Sequence, residues 1–420
     1  MCHRGGLSDA ARKTARGLGC RLGDGGALSG DPSRVSTAPI SQRCIRGGRM
    51  NRIQRVVMTG LFAGVLGGAP ASWAGAAKTQ FPVVFAHGMG GFDDLLGYDY
   101  WGNDFGTFVG EACESRFDTN CNSDLDPGQR AFVAQVAAFQ SSEVRGLDLA
   151  DDIEGFMATT GVSKVSIIGH SQGGIDARKA ARVLRERRGA TSVAVLASVS
   201  SPHRGSPVAK YILDQKPGVT SVIAALARYY GDSVYAPGND AYAAAKQLVF
   251  NDYSSSDGVV TGMKAFNEKY PVSSNYAERY VSLITAQFGG NVNPALYLLK
   301  EFLFDIDGNG YCVGDGDNDG AAGCGDGVRN EADDDGMVGI NSQQMGRRLR
   351  YHDAFFGFDS VTDDASIPTL NDLNAPSRLQ STSMSSVVPQ DHVDVVGVGP
   401  DAFDEPEFYA ALIHYISLHD

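Results

Sequence analysis

Residues 166–176 read SIIGHSQGGID, and the fold turns on what stands on either side of Ser171. Upstream, "KVSIIG" is a short β-branched run of the kind that forms a buried strand. Downstream, "IDARKAARVLRERRG" has the apolar spacing and charges of an amphipathic helix. The glycines therefore sit at a strand-to-helix turn. Gly169 and Gly173 leave space that a Cβ would obstruct, and the serine hydroxyl is held above the sheet edge, which is the context of a Gly-x-Ser-x-Gly nucleophile elbow. The free N–H groups and dipole of the next helix favour negative charge beside the serine. Without those flanking elements the five-residue pattern would be an ordinary turn.

Working outward, "FPVVFAHGMGGFDDLLGYDYW" is a buried-type strand entering a Gly-rich loop, and "RAFVAQVAAF" is a second strand candidate. The stretch "SSEVRGLDLADDIEGFMATTG" reads as a helix with Leu147, Leu149, Ile153 and Phe156 on its apolar face, and "TSVAVLASVSSPHRGSP" supplies another buried strand. Strands alternating with helices predict an α/β fold: a mostly parallel central sheet with helices on both faces. Beyond Lys216, Val219, Val222, Ile223, Leu226 and Tyr230 recur at helical spacing. That helix either packs on the core or, within a lid region of about 208–250, covers an apolar site and opens against lipid.

The ends of this α/β region are read by composition. Residues 1–49 are rich in Arg and Gly without apolar periodicity, as in a disordered segment or an upstream extension of the frame. From Met50, "MNRIQRVVMTGLFAGVLGGAPASWAGAA" has a basic start, an apolar run and small residues near Ala74 and Ala76, the signature of a secretory signal peptide over 50–76. The protein is accordingly expected to be secreted, with a domain spanning 77–420. Removing 1–76 takes away 11 Lys and Arg and 3 Asp and Glu, moving the formal charge from −13 to −21. Such an acidic chain is a poor partner for nucleic acid. Four cysteines remain, Cys113, Cys121, Cys312 and Cys324. In an exported protein they suggest two disulfides, and short separations favour 113 with 121 and 312 with 324, although sequence permits three connectivities.

A serine hydroxyl needs a base, and an acyl substrate needs donors for its oxyanion. Of the downstream histidines, His203 follows a strand next to the elbow, His414 and His419 lie on a terminal helix, and His352 sits in a charged segment. His392, in "VVPQDHVDVVG", occupies a short loop between core segments and is the candidate base. For the acid, "DDDGMVGI" offers Asp333, Asp334 and Asp335; Asp335 adjoins the glycine that turns into an apolar segment and is preferred. The Met89 N–H in "HGMGG" and the N–H of Gln172, the residue after the nucleophile, are the candidate oxyanion donors. His87 then orders the loop.

The stretches "FPVVFAHGMGGFDDLLGYDYW", "SSEVRGLDLADDIEGF", "SIIGHSQGG", "VSSPHRGSP", "TSVIAAL", "DDDGMVGI" and "DHVD" resemble, in order, the secreted triacylglycerol lipases of the Pseudomonas and Burkholderia type, from about Phe81 to Asp394. The resemblance implies an α/β-hydrolase fold, a helical lid, and hydrolysis of acyl esters at a lipid–water interface. It matches Ser171, Asp335 and His392 to a triad and Met89 and Gln172 to the oxyanion donors. It also implies a lipase-specific foldase as partner and a structural calcium ion with Asp394 as a ligand. Two positions depart from the family: Asn341 stands where a disulfide cysteine would fall, and Val398 where an amide ligand is expected.

Before Asp335 lies an acidic insertion, about 305–334. Asp305, Asp307, Asn309 and Gly310 fit the first half of an EF-hand loop, and Asp315, Asp317, Asp319 and Gly320 fit it again, with Asp326 at the twelfth position. Ten Asp and Glu against a single Arg between 305 and 336 repel one another without counterions, which favours calcium over a merely solvated loop. The function expected is therefore a secreted lipase working through an acyl-enzyme. The alternatives are an esterase for soluble short-chain esters and a calcium-dependent binding module on a hydrolase scaffold.

Overall fold

In the computed structural model of the chain the described residues are 78–91, 94–95, 98–101, 122, 124–206, 208–209, 213, 238–250, 262–287, 292–293, 296, 333–355, 357–375, 386–397 and 403–420. The proposed signal peptide, all four cysteines, residues 219–230 and the calcium-ligand candidates from Asp305 to Asp326 lie outside them.

Ten strands are named in chain order among the described residues: β1 Val83–Ala86, β2 Asp94–Leu95, β3 Tyr98–Asp99, β4 Ala131–Ala134, β5 Val165–His170, β6 Val193–Val199, β7 Ala277–Thr285, β8 Arg347–His352, β9 Ser360–Asp363 and β10 Val387–Val388. The central sheet runs β4-β1-β5-β6-β7-β8-β9, with β10 pairing β7; every pairing is parallel except β8 with β9, and β2 and β3 form a separate hairpin. The fully buried patterns of β1, β5 and β6 match their continuous apolar runs, as a sheet covered on both faces requires.

Helices α1 (Ser142–Thr160) and α2 (Gln172–Arg188) cover one face, packing Leu149, Ile153, Ala177, Ala180 and Leu184 against Val84, Ile167 and Val193. The short helices α3 (Ala241–Gln247), α4 (Met263–Lys269) and α5 (Ile340–Gln343) flank the sheet's later crossings. The terminal helix α6 (Glu405–Ser417) covers the other face with Phe408, Tyr409 and Leu412 against Phe85, Ile168 and Val195. Each fully buried leucine of this kind contributes about 2 kcal/mol.

One expectation fails on α1. Leu147 is 38% exposed, and the buried stripe is Arg145, Leu149, Ile153 and Met157. Residue 147 lies two positions from 149, about 200° round the helix and so on the opposite side. Asn341 is fully buried in α5 with neither side-chain polar atom hydrogen-bonded.

Sequence order reverses at β1: the chain leaves it for β4 on one side and returns through α1 to β5 on the other. In parallel sheets, ligands bind beyond the carboxyl ends of the strands flanking such a reversal. The loop after β1 and the turn after β5 meet there.

Candidate active site

The turn after β5 is strained. Ser171 has φ 53 and ψ −128, a conformation that a side-chain-bearing residue adopts only when its surroundings impose it. They do so through lack of space. A Cβ on Gly169 would stand 2.5 Å from the Gly174 nitrogen, and one on Gly173 would stand 2.1 Å from the Ala86 carbonyl oxygen. The serine N–H is tied to the Val199 carbonyl at 3.0 Å, and the serine carbonyl accepts from Gly174 N–H at 3.2 Å. The hydroxyl is thus lifted off the sheet end at the N-terminus of α2.

His392 brings its Nε2 to 2.9 Å from the Ser171 Oγ, and its Nδ1 to 2.8 Å from the Asp335 Oδ2. A carboxylate only accepts, so Nδ1 carries the imidazole proton and Nε2 is left to accept from the serine hydroxyl. The carboxylate on His392 is not that of Asp334 but that of Asp335, fully buried. Its Oδ1 accepts from the N–H groups of Met337 and Val338 at 3.0 and 2.8 Å, and its Oδ2 also accepts from Thr285 Oγ1 at 3.1 Å and Gln343 Nε2 at 3.3 Å. Thr285 Oγ1 lies 2.5 Å from the Ser200 hydroxyl, and Ser200 shares the left-handed backbone of Ser171, with φ 54. Asp334 accepts from Gly336 N–H at 2.6 Å within its own turn.

Opposite the triad, the loop after β1 is fixed from behind. Arg145 of α1 donates to the carbonyls of His87 (2.6 Å) and Gly88 (3.2 Å), to those of Ala137 and Ala138, and to Asp176 Oδ2 at 2.7 Å. The pair is fully buried, and burial pushes the Asp176 carboxyl up against the pull of Arg145. His87 donates from Nδ1 to the Gly88 carbonyl, and burial followed by the Arg145 charge lowers its pKa to about 3. It is a neutral member of the loop, as its position before "GMGG" suggests. Gln172 is the first residue of α2, so its N–H has no partner within the helix, and its side chain donates to the Gln140 carbonyl at 2.7 Å. Met89 sits in the turn after β1, its side chain against the cluster of Ile175 and Phe266.

The other histidines downstream of Ser171 stand apart. His203 is buried against Ser198 Oγ at 3.0 Å, His352 is exposed at the end of β8, and His414 and His419 lie at the end of α6. Among the described residues no group of three or more His, Cys, Asp or Glu is arranged to hold a metal ion; Asp394 is buried, its N–H donating to Asp391. Sequence reasoning missed Arg145, Asp176 and Thr285. Arg145 carried a signal, since it shares the helical face of Leu149 and Ile153; Thr285 carried none.

Sheet order, strand-to-helix turn and hydrogen-bonded Ser–His–Asp set together have the arrangement of an α/β-hydrolase fold. No family model matches the chain. Over 167 residues it is 34% identical to a triacylglycerol lipase of Vibrio cholerae, covering 39% of this chain and 47% of that protein. Over 185 residues it is 33% identical to a triacylglycerol lipase of Burkholderia plantarii, covering 41% and 46%. The chain spans about half the length of the curated relatives it matches. Among solved structures, EstA from Clostridium botulinum is similar with a TM-score of 0.48 and 16% identity, over 81% of this chain and 88% of that one.

Proposed function

We propose that this protein is a serine carboxylic ester hydrolase acting on triacylglycerols. The observation that carries the reading is the unbroken line from Ser171 Oγ through His392 to Asp335, with hydrogen bonds of 2.9 and 2.8 Å. As His392 Nε2 takes its proton, Ser171 attacks the ester carbonyl carbon, and Asp335 stabilises the imidazolium. The oxyanion is met by the N–H groups of Met89 and Gln172. His392 returns the proton to the departing alkoxide, the alcohol leaves, and the acyl group remains on Ser171. A water deprotonated by His392 then attacks the acyl-enzyme, releasing the carboxylic acid and restoring the serine.

Similarity to triacylglycerol lipases supports long-chain acylglycerols over soluble esters, and the apolar period over 219–230 supports a lid that opens at lipid. The signal-peptide pattern at 50–76 supports secretion, with a lipase-specific foldase as a partner during export. The donors Asp305, Asp307, Asn309, Asp315, Asp317, Asp319 and Asp326 are all oxygen, which suits calcium. The ion would brace the segment before Asp335 and take no part in the chemistry. Cys312 and Cys324 would brace the same loop.

Hydrolysis across ester chain lengths, emulsified and dissolved, tests substrate class, and fluorophosphonate labelling tests Ser171. Ser171→Ala and His392→Ala should each lower turnover by several orders of magnitude with folding intact. Activity confined to dissolved short esters would favour the esterase alternative. A severe Asp334→Asn beside a harmless Asp335→Asn would move the acid by one residue.

A further inference from the structure

Tyr100 and His170 take no part in the proton transfers above, yet they lie between the two halves of the site. His170 ends β5, buried, with its ring centroid 5.0 Å from that of His392. Its Nε2 stands 2.9 Å from the His392 carbonyl oxygen, and its Nδ1 stands 2.5 Å from the Tyr100 hydroxyl. A carbonyl oxygen only accepts, so Nε2 carries the hydrogen. Nδ1 of the neutral ring must then accept from the tyrosine O–H. The Tyr100 hydroxyl in turn packs against the Gly88 backbone, in the loop that carries Met89, and its ring lies 5.8 Å from that of His87.

The hydrogen-bonded line thus runs from Tyr100 to His170 to the carbonyl of His392, each direction fixed from the carbonyl end, and Tyr100 joins it to the Gly88 backbone by close packing. It ends on the His392 backbone, so it cannot relay catalytic protons. From the other side the His392 N–H donates to the Asp335 carbonyl at 2.9 Å. The peptide groups flanking the base are therefore held from opposite directions. Space at the near end is equally constrained: a Cβ on Gly88 would stand 2.6 Å from the Tyr100 hydroxyl and 2.7 Å from the Ser171 Cβ.

We infer that Tyr100 and His170 are positioning residues that lock the His392 backbone to the oxyanion loop, so that base and oxyanion donors are set as one unit. The inference rests on the hydrolase reading above. Burial, followed by the neighbouring His392, keeps the His170 ring neutral, and burial holds Tyr100 protonated, as the line requires. Linked hydrogen bonds of one sense reinforce one another, so breaking one link weakens the rest.

The test is a double-mutant cycle on the full chain, read as kcat and KM on a soluble short-chain ester and as the rate of fluorophosphonate labelling. Tyr100→Phe should lower kcat and labelling about tenfold, the worth of one hydrogen bond, with KM nearly unchanged. His170→Phe should lose at least as much, and the double variant no more than His170→Phe alone. His170→Gln, which keeps a donor and an acceptor, should recover most of that loss; if His170→Phe fails to fold, Gln and Tyr100→Phe form the cycle. Wild-type rates in Tyr100→Phe, or losses that multiply in the double variant, would overturn the lock. A wild-type chain that neither hydrolyses the ester nor labels at Ser171 would instead overturn the hydrolase reading.

Discussion

Adding a single methyl group at Gly173 tests how rigidly the site is built. An alanine there would place its Cβ 2.1 Å from the Ala86 carbonyl oxygen and 2.7 Å from the His87 oxygen, where real contacts almost never fall below 3.0 Å. Both obstacles are backbone, so no side chain can swing aside. The start of α2 must move from the end of β1 by about 1 Å, and these two elements carry the Gln172 and Met89 N–H groups. A misplacement of that size costs roughly 100-fold in rate, and overpacking costs about 1–3 kcal/mol in stability. The assay is kcat on a soluble ester with thermal melting alongside, using Gly155→Ala as the control. Gly155 lies mid-α1 with nothing within 4 Å of its would-be Cβ, so that variant should keep full activity and gain about 0.5–1 kcal/mol. A Gly173→Ala enzyme with wild-type kcat and melting temperature would refute this account of the elbow.

Thr285→Val removes the hydroxyl between Ser200 and Asp335 and should destabilise the fold by roughly 1–3 kcal/mol while lowering kcat, read by urea unfolding and ester hydrolysis. His87, His170 and His203 are buried with pKa values lowered below 6.5, so the unfolded chain binds protons that the native state refuses. Their contribution to stability is complete above pH 6.5 and is lost as pH falls, for His87 down to about 3; His87→Gln should remove about one proton from the slope of stability against pH in that window. An unchanged slope would contradict the buried neutral histidine. Chelation of calcium should lower the melting temperature, with calcium restoring it and magnesium doing so poorly, and Asp315→Ala combined with Asp317→Ala should abolish most of that response.

Strands β1, β4, β5 and β6 were legible because each carries an apolar run, whereas β8 (RRLRYH) and β9 (SVTD) carry none and were not; the elbow was legible because two glycines sit between a strand and a helix. His392 could be chosen by position among five downstream histidines, and Asp335 from three neighbouring aspartates only by its glycine. The supporting contacts were not legible, for a physical reason. Arg145 and Asp176 belong to different helices, while Ser200, Thr285 and Asp335 meet only because β6 lies beside β7. Local periodicity reports which face a residue takes, and says nothing about which crossover will bring a partner to it. Even the local reading slipped at Leu147, where counting apolar residues outran the helical angle.

The acid is secured in a way that bears on the acidic insertion preceding it. Among the described residues, the hydrogen-bond donors to the Asp335 carboxylate come from Thr285, Met337, Val338, Gln343 and His392. Four of these follow the aspartate in sequence, and Thr285 precedes the insertion. Among the described residues, the direction of the carboxylate is set by the turn after it and by β7. A long insertion, proposed above to bind calcium, is therefore tolerable at this point of the chain, because these partners hold the carboxylate from outside it. It follows that calcium loss should appear first as a fall in melting temperature, with kcat well below the transition changed far less than by Thr285→Val. A kcat that collapsed on chelation while the fold stayed intact would mean that the insertion does set the acid's direction.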